Sequence, residues 1–184
     1  IYYLNLTADW INLNNTSNSS STSILVNVTP NPKIRVLEQN ITKIIPAGTK
    51  DNATFTLKSI GNENATQINI TCKSGVVCQD FNVSFSPENF SSIPIGEIRY
   101  VNASFEVKPN YQAGTHNGTI EITWYPNFYA QLPVFITVPV NITWIHQPTE
   151  LSKTVLQNET GYFGSVDIIN TGNAEINLSL IKNG

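Results

Sequence analysis

The chain has 184 residues, of which 12% are charged and 40% apolar, and a formal net charge of −3 at pH 7. Charge at about half the usual quarter of a soluble domain, with no basic run, excludes a phosphate-gripping or anionic-membrane surface. The apolar fraction suffices for a core, and no uninterrupted apolar stretch reaches the about eighteen residues of a membrane-spanning helix.

From the N-terminus, Tyr2, Leu4, Leu6, Ala8 and Trp10 alternate with Tyr3, Asn5, Thr7 and Asp9. This predicts a strand over 2–11 with one apolar and one polar face. Asn and Ser then dominate 13–22, which reads as a linker without packing residues. With Asn12 it could reach about 36–40 Å when extended, enough to place the strand in another subunit. Folding back into its own sandwich is the competing arrangement. Further period-two runs lie near 23–29, 33–37, 41–46, 53–60, 66–72, 79–85, 98–107, 119–125, 132–145, 164–169 and 175–182, with no convincing helix. So many short strands predict an all-β fold, an Ig-like or pilin-like β-sandwich. In the longest run, Val134, Ile136, Val138, Val140, Ile142 and Trp144 are expected inward, with Pro139 marking an edge. The expected organisation is an N-terminal donor strand over 1–12, a linker over 13–22 and a sandwich over 23–145. Residues 146–184 form a C-terminal β module that packs onto or completes the sandwich, having too few strands for a core of its own.

Cys72 and Cys78 enclose five residues, a spacing that suits a disulfide and supplies too few ligands for zinc. Closing that loop contributes about 2.4 kcal/mol on the chain-entropy estimate and implies an oxidising compartment. The chain begins at Ile1 without a basic, apolar leader, so a signal peptide is expected to have been removed. A faint repeat aligns Phe55, Leu57 and Gly61-Asn62 with Val166, Ile168 and Gly172-Asn173 at a shift of 111 residues. This strand–turn–strand unit resembles the recurring Ig-like modules of archaeal and bacterial surface proteins.

N-glycosylation sequons begin at Asn5, Asn14, Asn15, Asn18, Asn27, Asn40, Asn52, Asn64, Asn69, Asn82, Asn89, Asn102, Asn117, Asn141, Asn158 and Asn177. In random order the 24 Asn and 34 Ser or Thr of this chain would form about four. Many fall on the outward phase of a strand, as Asn102 does between Val101 and Ala103, and Asn27, Asn69, Asn82, Asn141 and Asn177 between their own apolar neighbours. Covalent N-glycans are therefore expected, with no other cofactor. With only thirteen carboxylates to protonate, the surface is also compatible with strong acid.

No catalytic or metal constellation emerges: His116 and His146 lie far apart, and the carboxylates are scattered. Glu106 and Glu121 could face each other across outward positions, but neither has an apolar pocket to separate their pKa values. Trp124-Tyr125-Pro126-Asn127-Phe128-Tyr129 reads as core or interface packing, or as a platform for a sugar ring. Spacing identifies no Lys–Asn isopeptide crosslink.

A nearly charge-free, sequon-dense β protein with a donor-like first strand resembles the subunit of the archaeal thread, a surface filament of thermoacidophilic archaea. The resemblance implies self-assembly head to tail by donor-strand complementation, with Tyr2, Leu4, Leu6, Ala8 and Trp10 as the inserted face. It implies an extracellular filament for adhesion or cell–cell contact, copies of the chain as partners, and neither enzymatic activity nor nucleic acid. The alternative is an Ig-like carbohydrate-binding or surface-layer module acting as a monomer.

Overall fold

The computed structural model describes residues 2–154, 156–158, 160–162, 164–179 and 181, with Tyr2 by its backbone alone. The first strand forms where the alternation places it, as β1 (Tyr2–Ile11), but its partner is the expected linker. Residues 12–16 turn the chain back, and β2 (Ser17–Val26) pairs with β1 over ten antiparallel positions, from Tyr2 opposite Val26 to Ile11 opposite Ser17. The expected linker over 13–22 is thus corrected to the turn and part of one arm of a hairpin. The small Ser side chains do not obstruct pairing, the β-branched Thr22 favours extended backbone, and bare main-chain groups on β1 offer them a ladder.

The sandwich follows. Its strands are β3 (Ile34–Val36), β4 (Ile41–Ile44), β5 (Lys50–Ser59), β6 (Ala65–Ser74), β7 (Asn82–Ser86), β8 (Asn89–Ile93), β9 (Ile98–Glu106), β10 (Gly114–Trp124) and β11 (Phe128–Val138). They form a five-stranded sheet of order β4-β11-β10-β6-β8 and a four-stranded sheet of order β3-β5-β9-β7. All contacts within these sheets are antiparallel except β11 with β4. This is an Ig-like β-sandwich. Alternation explains the core: Phe55 and Leu57, Val101, Ala103 and Phe105, Ile120 and Ile122, and Leu132, Val134 and Ile136 are fully buried. Each large side chain so buried is worth about 1.5–3 kcal/mol.

Beyond Val138 the expected strand stops. Val140, Ile142 and Trp144 are exposed, which corrects their inward assignment, and β11 is flanked on both sides, so Pro139 marks its end and no edge. The chain resumes as β12 (Trp144–Gln147), paired antiparallel with β13 (Asp167–Asn170) in a separate two-stranded sheet. The sandwich strands therefore span 34–138, and 139–145 belongs with the C-terminal piece. No strand forms over 175–179, and part of the predicted strand there, Leu180 and Lys182, lies outside the described residues.

Two features escaped the alternation. One is β8, whose Asn and Ser hide its period. The other is α1 (Val76–Asp80), a five-residue helix that buries Val77. It starts after Gly75, held at φ +90°, and its middle residue, Cys78, is joined by a disulfide to Cys72 of β6, which matches the spacing-based expectation.

Candidate functional site

Three surfaces gather the residues singled out by sequence: a sequon-bearing exterior, the N-terminal hairpin face and the C-terminal piece. All sixteen sequon Asn residues are exposed. Asn82 and Asn102 stand on outer strand positions, as the periodicity predicts, whereas Asn27, Asn141 and Asn177 lie outside strands yet remain in solvent. Asn69 and Asn89 stand directly opposite each other on β6 and β8. Among the described residues the one buried Asn, Asn173, carries no sequon. Ser104, which completes the sequon of Asn102, is buried, and its hydroxyl has no hydrogen-bond partner.

The hairpin presents one face that is apolar along β1 and polar along β2 at Asn18, Ser20 and Thr22. Directly opposed residues of an antiparallel pair share a face, so Leu4 and Ile24, Leu6 and Thr22, Ala8 and Ser20, and Trp10 and Asn18 lie together. Leu4, Leu6 and Trp10 are 53, 51 and 46% exposed. Asp9 is on the other face, as is Asn5, whose side-chain oxygen accepts a 2.6 Å bond from the Ser23 hydroxyl. The side chain of Tyr2 lies outside the described residues. The expected donor face therefore exists, as a strand pair, and its large side chains are left exposed by the described residues.

The C-terminal piece repeats the opening of the sandwich in geometry as well as sequence. At the entrance to β3, Asn62 accepts from the Asn31 N–H at 2.6 Å and its side-chain amide donates to the Thr29 carbonyl at 3.0 Å. Before β12, Asn173 accepts from the Asn141 N–H at 2.7 Å and donates to the Pro139 carbonyl at 2.9 Å. The preceding Gly61 and Gly172 lie against the carbonyls of Asn31 and Asn141, where a Cβ would collide. The strand pairs match too: Ile34 opposes Ser59 as Trp144 opposes Asn170, and Val36 opposes Leu57 as His146 opposes Ile168. Burial differs. Ile34 and Leu57 are core, whereas Trp144 and Ile168 are exposed.

The remaining candidates do not converge on chemistry. Glu106 and Glu121 lie in different sheets, the first accepting from the Asn82 amide and the second paired with Lys73 at 2.8 Å. Hydrogen bonds from Lys73 and Lys43 hold Glu121 and Asp51 below the ordinary carboxylate range. Trp124 is core, its indole N–H donating to the Pro32 carbonyl at 3.0 Å. Tyr125, Phe128 and Tyr129 are exposed and line an open groove of about 730 Å³ with Asn69 and Lys73. His146 lies beside Trp144, and His116 packs edge-on against Phe81 and Tyr111. Among the described residues no three His, Cys, Asp or Glu side chains gather as metal ligands.

Tyr111 donates its hydroxyl to Asp80 at 2.7 Å, and burial together with that carboxylate pushes its pKa up to about 12. Against an unfolded value of about 10, the neutral phenol stabilises the fold fully below pH 10 and loses this contribution as pH rises towards 12. Thermal unfolding followed from pH 9 to 12 should show that loss, and Tyr111→Phe should flatten it. An unchanged profile would remove the assignment.

No protein-family model matches the chain, and no curated protein matches it in sequence. Among solved structures, the E. coli chaperone DraB is 9% identical with a TM-score of 0.46, over 74% of this chain and 85% of its own. The Pseudomonas aeruginosa CupB2 chaperone is 9% identical with a TM-score of 0.43, over 61% and 67%. A family 123 glycoside hydrolase from Clostridium perfringens is 12% identical with a TM-score of 0.45, over 54% of this chain and only 22% of its own. Likeness at this level concerns the β fold alone and transfers no residue's role.

Proposed function

We propose that the chain is a structural subunit of an extracellular, N-glycosylated filament, polymerising head to tail through its N-terminal segment and serving adhesion or cell–cell contact. One observation carries this: Leu4, Leu6, Trp10 and Ile24 on one face of a two-stranded sheet that none of the described residues covers. A lone hairpin is at best marginally stable in water, and an exposed apolar sheet face marks an interaction surface. The archaeal thread is the kind of assembly meant. Electron microscopy of native material should show filaments; dispersed single chains would sink the reading.

The coat has separate support in Ser104. A buried hydroxyl without a partner costs about 1–3 kcal/mol, and a sequon needs Ser or Thr at that position. Ser104→Ala should therefore stabilise unglycosylated recombinant protein by about 1 kcal/mol in denaturant titrations. In the native host it should leave Asn102 unmodified. Either lower stability, or a wild-type Asn102 that carries no glycan by peptide mass spectrometry, would remove this support.

The second reading, a monomeric carbohydrate-binding or surface-layer module, rests on the Tyr125, Phe128 and Tyr129 groove. Its sign would be single chains that bind an oligosaccharide and lose binding on Tyr129→Ala.

A further inference from the structure

The hairpin face has a duplicate inside the sandwich, and the duplicate says what covers it. In the β10–β11 hairpin Ile120 opposes Leu132, Gly118 opposes Val134 and Trp124 opposes Phe128. In β1–β2 Leu6 opposes Thr22, Leu4 opposes Ile24 and Trp10 opposes Asn18. Nine of the ten β1–β2 pairs fall on β10–β11 pairs at a shift of 114 residues in the first strand and 110 in the second, so Trp10 falls on Trp124 and Ile24 and Val26 on Val134 and Ile136; the tenth, Ile11 with Ser17, falls on Tyr125 and Asn127 in the turn. The same shift of 110 carries Thr29 and Asn31, at the first Asn clamp, onto Pro139 and Asn141, at the second. In β10–β11 this face is buried in the core it shares with Ile34 of β3 and Phe55 and Leu57 of β5, with β3 approaching β11, and β11 is flanked by β4. The counterparts of β3 and β5 are β12 and β13, whose apolar faces are bare.

Each chain thus carries the closing hairpin of one such sandwich and the opening strands of another. We propose, resting on the head-to-tail reading above, that the β1–β2 face is covered by residues 139–179 of a second copy of this chain, in the manner of β10–β11 on the central core. Leu4, Leu6, Ile24 and Val26 then meet Trp144, Val166 and Ile168, and the Trp10 indole N–H reaches the Ile142 carbonyl, as Trp124 reaches Pro32. None of these side chains is ionisable, and the one titratable group beside them on the β12–β13 face is His146, at the position of Val36. The donated unit is a strand pair rather than a single strand.

The β4–β11 pairing places Ile41 opposite Val134, so Leu151 of one chain should stand opposite Ile24 of the next. Full-length Ile24→Cys/Leu151→Cys, mildly oxidised, should give a ladder on denaturing, non-reducing gels, with peptide mapping recovering a 24–151 bond between chains. Leu25→Cys/Leu151→Cys, one residue along and on the other face, should give no 25–151 bond. A 24–151 bond within single chains, or none at all, overturns the proposal. In a second arm, residues 29–113 are joined ahead of Tyr2. If that protects the hairpin amides from hydrogen exchange while the cysteine pair stays unlinked, the occupant is a neighbouring repeat on the same polypeptide and the second-copy proposal is overturned. Filaments by microscopy without the 24–151 bond sink this junction and spare the assembly; the absence of filaments sinks both.

Discussion

Leu6→Asp chains should remain folded monomers, while Thr7→Asp chains assemble as the parent does. Leu6 lies on the apolar hairpin face opposite Thr22, and Thr7 points the other way, opposite Ser21. Burying Leu6 in a junction is worth about 1.5–3 kcal/mol, and an aspartate there adds the cost of a desolvated carboxylate without a partner. A combined loss of at least about 4 kcal/mol weakens each junction about a thousandfold. The central sandwich does not depend on Leu6, which is half exposed in the single chain, so circular dichroism and the melting temperature of the main transition should hold. Assembly is read by sedimentation and microscopy. Equal polymerisation of both variants would mean that the hairpin face is not the contact.

That contrast rests on a pattern legible before any coordinates. Strict alternation from Tyr2 to Trp10 fixed both the strand and its apolar face, and the core strands were found in the same way, because a half-buried strand must alternate. The exposure of Asn69, Asn82 and Asn102 followed from the same phase, whereas Asn27, Asn141 and Asn177 are exposed because they lie outside strands. The partner of β1 was not legible: Ser17 to Thr22 carry no apolar period, and their strand exists through main-chain pairing to β1, which composition does not encode. For the same reason β8 was missed. Alternation misled beyond Val138, where Val140, Ile142 and Trp144 continue the period of β11 but belong to the next unit. The repeat was visible in Gly61-Asn62 and Gly172-Asn173, but its clamps join residues some thirty positions apart through side-chain amides. Such pairings become visible only once the turns fold.

Gly61→Ala should destabilise the central sandwich by about 3 kcal/mol or more, whereas Gly172→Ala should leave its main unfolding transition in place. A Cβ at Gly61 would collide with the Asn31 carbonyl and the Lys33 amide, both main-chain atoms that cannot swing aside. Relief requires the 60–62 turn to withdraw, which breaks the bonds of Asn62 to Asn31 and Thr29 and that of the Ile60 N–H to the Lys33 carbonyl. At about 1 kcal/mol per bond plus residual strain, the total reaches that figure. Gly172 is wedged in the same way against Asn141 and Thr143, but the strands it fastens, β12 and β13, form their own small sheet outside the core. Gly172→Ala should therefore free 139–147 and 167–173 to hydrogen exchange and weaken chain–chain junctions, with the melting temperature of the sandwich unchanged. Chemical denaturation of both variants, beside exchange measurements on 139–173, separates the two effects. If Gly172→Ala lowered the main transition as far as Gly61→Ala does, the C-terminal strands would be part of the central core and not the opening of a second sandwich.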